Sequence, residues 1–118
     1  MKNIMFAIAM MIGMVSFAQQ KTTFEENQAT GLIDATYYHE NGQISQMGSY
    51  TKEGKLQGIW TSYDVKGNKV ALGNYSNGKK VGKWLFWSNN KLKEVDYVDS
   101  KITNVSEWSD KTQLVVSN

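Results

Sequence analysis

A short cassette recurs along this chain at a spacing of 24 or 25 residues, and that recurrence limits the fold more than any other feature. Tyr38-His39-Glu40-Asn41-Gly42 aligns with Tyr63-Asp64-Val65-Lys66-Gly67. Met47-Gly48-Ser49-Tyr50 aligns with Leu72-Gly73-Asn74-Tyr75. Gly54-Lys55-Leu56-Gln57-Gly58-Ile59-Trp60 aligns with Gly78-Lys79-Lys80-Val81-Gly82-Lys83-Trp84. A third, worn copy follows, in which Trp87 stands for Tyr63 and Val95-Asp96-Tyr97 stands for Gly73-Asn74-Tyr75. Trp108 is expected to close it.

Turn signals fall inside each copy at Asn41-Gly42, Glu53-Gly54, Lys66-Gly67, Asn77-Gly78 and Asn89-Asn90. Asn-Gly favours a tight hairpin because both central residues need positive φ. Lys-Gly and Glu-Gly suit longer loops with the glycine in the left-handed position. The spacing predicts strands near 32–39, 43–51, 56–64, 68–76, 80–88 and 91–98, rich in aromatic and β-branched residues. A further strand is predicted near 112–116. No window sustains a 3.6-residue apolar period, and glycines interrupt every helical candidate. The fold class expected is all-β: a single twisted antiparallel β-meander of consecutive hairpins.

Glycine inside a strand costs stability and so needs a reason. Gly48 and Gly73 each stand two residues before a tyrosine, on the same sheet face. A missing side chain there lets a neighbouring ring lie flat on the backbone. Gly58 and Gly82, two residues before Trp60 and Trp84, are expected to do the same.

The N-terminal stretch differs from the repeats. Lys2 precedes an uncharged apolar run from Ile4 to Val15, and Ser16 and Ala18 place small residues before Gln19. This is the plan of a cleaved signal peptide, and the run is too short for a membrane-spanning helix. The domain reading is therefore 1–18 signal peptide, 19–30 polar arm and 31–118 repeat domain, with an extracytoplasmic location, periplasmic or secreted. No transmembrane span is expected after cleavage. The chain has no cysteine, which excludes disulfide staples, thiol nucleophiles and thiolate metal sites. All its basic residues are lysine, which argues against nucleic acid, where the bidentate arginine fork dominates recognition.

The pattern Tyr-x-x-x-Gly, then Gly-x-Tyr, then Gly-Lys-x-x-Gly-x-Trp over residues 36–98 resembles the variant MORN repeat of bacterial proteins often described as antitoxin-like. The third copy departs from it by losing the turn glycine and the glycine of Gly-x-Tyr. The resemblance implies a sheet of consecutive hairpins and no catalytic residue; no cofactor is expected. It also implies contacts with proteins or lipids.

Candidate chemistry is sparse. His39 is the only histidine and stands at a turn where the next copy has Asp64; turn polarity explains it better than general-base chemistry. Glu94 and Asp96 alternate on one strand face, which suits a solvated surface better than a calcium site without a ligand loop. No metal site and no enzyme activity are expected. The best binding candidate is a basic, aromatic block: Lys66 to Lys93 holds seven lysines and no acid. The residues assigned to it are Trp60, Tyr63, Lys79, Lys80, Lys83, Trp84, Phe86 and Trp87. Rings with a lysine rim fit a partner protein, an immunity-type partner among them, or alternatively an anionic lipid or glycan of the envelope. Cation–π pairing within the sheet is the competing explanation for the lysines.

Overall fold

Eight strands follow one another in chain order: β1 (Thr22–Asn27), β2 (Leu32–Tyr38), β3 (Ile44–Tyr50), β4 (Leu56–Tyr63), β5 (Lys69–Ser76), β6 (Lys79–Ser88), β7 (Lys91–Val98) and β8 (Lys101–Ser109). The computed structural model describes residues 21–109, so the expected signal peptide and the strand expected near 112–116 lie outside the described residues. All eight strands form one sheet in the order β1-β2-β3-β4-β5-β6-β7-β8, each antiparallel to the next. The sheet is an open meander of hairpins. Its radius of gyration is 17.4 Å, against about 12–13 Å for a compact domain of this size.

The turns divide into two types, set by their residues. Asn77-Gly78 and Asn89-Asn90 are tight, with both central residues at positive φ. Residues 51–55 and 64–68 form wider loops, closed by Thr51 N–H to the Lys55 carbonyl and Asp64 N–H to the Asn68 carbonyl. Asn41-Gly42 belongs to this wider type, contrary to the tight hairpin its sequence suggests. His39 N–H donates to the Gln43 carbonyl, and the Asn41 side chain instead accepts from Gln43 N–H.

Two strands depart from the sequence reading. Residues 22–27, read from their polarity as an arm, pair along β2 as the edge strand β1. Lys101–Ser109 forms the opposite edge, β8, after a tight turn at Asp99-Ser100, where both residues have positive φ. Neither edge strand contains a glycine, and the turn into β8 has none either.

A single sheet must build its core on one face. Cross-strand partners share a face, and the pairing register threads one row across it. From β1 to β8 the row reads Phe24, Ala35, Gly48, Trp60, Gly73, Trp84, Val95 and Val105. The buried apolar residues, Ala35, Trp60, Trp84 and Val95, all belong to it. The core is thus one row of side chains, placed where small and large residues alternate.

Candidate functional site

The two central tryptophans occupy the row in the same way. A Cβ built on Gly48 would fall inside the Trp60 indole, and one on Gly73 inside the Trp84 indole. Each ring therefore lies on the bare backbone of the strand before it. The indole N–H of Trp60 donates to the Ser49 carbonyl at 3.0 Å, and that of Trp84 to the Asn74 carbonyl at 3.1 Å. Both indoles are 6% exposed. An aromatic ring of this size buries on the order of 200 Å². At about 25 cal/mol/Å² that gives an upper bound of roughly 5 kcal/mol per ring.

Tyrosines brace the indoles edge-on: Tyr50 against Trp60 at 5.1 Å between centroids, Tyr75 against Trp84 at 5.0 Å and Tyr97 against Trp84 at 5.8 Å. The hydroxyls of Tyr37 and Tyr50 share a 2.7 Å hydrogen bond. Burial first, and that bond second, push the Tyr50 phenol up to about 12.

Gly58 and Gly82 play a different part from the one their spacing suggests. Neither has an atom within 4 Å of an added Cβ, and their φ values are +77° and +71°. They are bulge residues, lying where the pairing of β4 with β3 and of β6 with β5 slips. The bulge turns the following tryptophan onto the previous strand.

The basic, aromatic block does not form one surface. Trp60, Trp84 and Phe86 lie on the core face, and Trp84 stacks with Phe86 at 6.0 Å. Lys80 joins them, its ammonium 5.2 Å from the Trp84 ring and 5.0 Å from the Tyr97 ring. Strand alternation sends Tyr63, Lys79, Lys83 and Trp87 to the other face. There Lys83 bonds Glu94 at 3.1 Å and Asp96 at 3.2 Å. Those two carboxylates, Glu94 foremost, raise the Lys83 ammonium above the usual lysine range. The same clasp explains Glu94 and Asp96, whose shared face holds a lysine.

His39 also has a structural task. Its Nε2 lies 2.9 Å from the Tyr63 carbonyl, and Asn41 Nδ2 donates to the Val65 carbonyl at 2.9 Å. The loop of one repeat is thereby tied to the loop of the next. Trp108, expected to close the third repeat, pairs with Leu92 on the face away from the core row, and Val105 takes the row position.

Two concave surfaces stand out among the described residues. On the core face a groove of about 640 Å³ runs over β6–β8, floored by Phe86, Val95, Tyr97, Ile102 and Val105. On the opposite face a cleft of about 900 Å³ opens between the 64–68 loop and the 89–90 turn. Val70, Trp87 and Leu92 line it with Lys69 and with Lys91, which at the end of β7 borders the core-face groove as well. Asp64 borders the cleft too, but its Oδ1 accepts the Asn68 and Lys66 backbone N–H groups at 2.9 Å each. Those bonds, led by that from Asn68, hold its carboxyl below the usual range. Of the residues singled out from sequence, only Trp87 lines this cleft. Lys91 could have been found beside the Asn89-Asn90 turn, and Lys69 by extending the β5–β6 register outward from Asn77-Gly78. No protein-family model matches the chain, and no curated protein matches it in sequence.

Proposed function

We propose that this chain is an exported, non-catalytic protein-binding module of MORN-like repeats. In this reading the cleft beside Trp87 takes an acidic and apolar segment of a partner protein. The observation that carries the reading is the composition of that cleft. It sets an indole and two aliphatic side chains beside Lys69 and Lys91, while the one carboxylate at its border is occupied by its own turn. Tryptophan is among the residues that most often anchor an interface, and a polar rim commonly surrounds such an anchor. An anionic glycan or lipid head group of the envelope is the second reading, because the same two ammonium groups would meet it.

Affinity capture separates the two. Wild-type chain retains a single protein in stoichiometric amount, and Trp87→Ala or Lys69→Glu loses it while Lys83→Ala keeps it. If Lys83→Ala and Trp87→Ala behave alike, the cleft is not the site. Salt-sensitive co-sedimentation with anionic vesicles or cell wall, without any captured protein, moves the assignment to the second reading.

A further inference from the structure

The core row ends differently at the two edges of the sheet. At the β1 edge Phe24 is a large ring, 45% exposed and met edge-on by Tyr37 at 6.2 Å between ring centroids. At the β8 edge the row closes on Val95 and Val105, and the groove there leaves Val105 51% and Ile102 59% exposed. In the middle of the row each ring rests on a small residue of its neighbour. At the β8 end the row finishes on valine beside a groove; at the β1 end it finishes on a half-exposed ring.

We propose that the β8 edge of one copy accepts the β1 edge of a second copy, with Phe24 of the second copy seated in the groove over Val95 and Val105. Strand direction permits it. β1 and β8 stand at opposite parity in an antiparallel meander, so an incoming β1 runs antiparallel to β8 and keeps the core faces of both copies on one side. Setting Phe24 opposite Val105 continues the row as Trp84, Val95, Val105, Phe24, Ala35. The same register lays Glu25 and Glu26 towards the Lys101 end of β8 and lays Thr22 and Thr23 beside Glu107 and Ser106. No acid then faces an acid. A β1–β1 pairing leaves the groove at β8 unfilled, and a β8–β8 pairing brings no ring to it. Both edges are proline-free; β1 pairs without a slip, β8 has one bulge, at Thr103, and neither Thr22–Asn27 nor the stretch 101–108 has a second neighbouring strand among the described residues. The contact joins unlike surfaces, so it propagates head to tail.

The natural absence of cysteine makes the test clean. Phe24→Cys and Val105→Cys are made as separate full-length chains, and circular dichroism verifies that each keeps its strand spectrum. Neighbouring positions across antiparallel strands lie within disulfide range. Oxidation of the mixture is expected to give a covalent dimer containing one chain of each kind, lost when either variant is oxidised alone. Dimers of Val105→Cys alone, dimers of Phe24→Cys alone, or no dimer in the mixture would each overturn the proposal. The last outcome leaves the groove to residues 110–118 or to a foreign partner. Sedimentation of the unmodified chain supplies the second measurement. Its mass is expected to rise with concentration in an open series, and to stay at one chain in Val105→Lys. A constant single-chain mass for the unmodified protein also sinks the idea.

Discussion

The first two repeats and the third solve the same packing problem with different residues. In the first two, an indole lies on a glycine of the preceding strand and sends its N–H to the next carbonyl along. In the third, Val95 replaces the glycine and Val105 replaces the ring. Val95 is still buried, yet Val105 is left half open. A valine pair buries less surface than a ring on bare backbone and supplies no donor for a strand carbonyl. The contrast shows that the bare backbone and the ring form one unit; when one partner is lost, the other has no use.

The largest effect should come from filling a gap under a ring. Gly73→Ala forces a methyl into the Trp84 indole, an overpacking that should cost about 3 kcal/mol. Gly82→Ala, only nine residues away in sequence, meets open space and should cost about 1 kcal/mol for its left-handed backbone. Urea denaturation midpoints of the two variants measure the difference. Equal losses would show that the rings do not depend on the gaps. The comparison sharpens if the third repeat is rebuilt to match the others. Val95→Gly and Val105→Trp should each destabilise or do little alone, and the pair should recover about 2 kcal/mol beyond their sum. A double-mutant cycle without coupling would mean that a bare backbone on the preceding strand is not enough to seat a ring.

The smallest effect is one of pH and belongs to the first repeat. The Tyr50 phenol is pushed from 10.0 up to about 12, so the folded chain keeps its proton where the unfolded chain releases it. Its contribution to stability is complete below the unfolded value and is lost as pH rises through the folded one. Wild-type stability should therefore fall more steeply than that of Tyr50→Phe as pH climbs from about 10 towards 12. Parallel curves would separate Tyr50 from the alkaline loss.

The interior of the sheet was legible because its punctuation is local. Asn77-Gly78 and Asn89-Asn90 carry their turn type in two residues, and the strands between them fall within one residue of the positions the spacing predicts. The edges were not, since β1 is polar and β8 lacks glycine; each is a strand because a neighbour offers it a ladder. Gly58 and Gly82 share the two-residue offset before tryptophan with no ring above them. Spacing cannot tell a missing Cβ that makes room from a missing Cβ that permits positive φ. The binding residues divided for a related reason. Lys83 and Trp84 are adjacent in sequence and opposite in space, and the acids that hold Lys83 arrive from across a hairpin. Folding the chain back at Asn89-Asn90 on paper would have set Lys83 against Asp96.

Because every strand pairs only with its sequence neighbours, each hairpin can dock as soon as it is synthesised, without waiting for the C-terminus. Such a chain suits vectorial folding from a ribosome or a translocation pore, since loop closure never spans a long stretch of unfolded polymer. Its unfolding should likewise begin by fraying at the ends and reach the two indoles last.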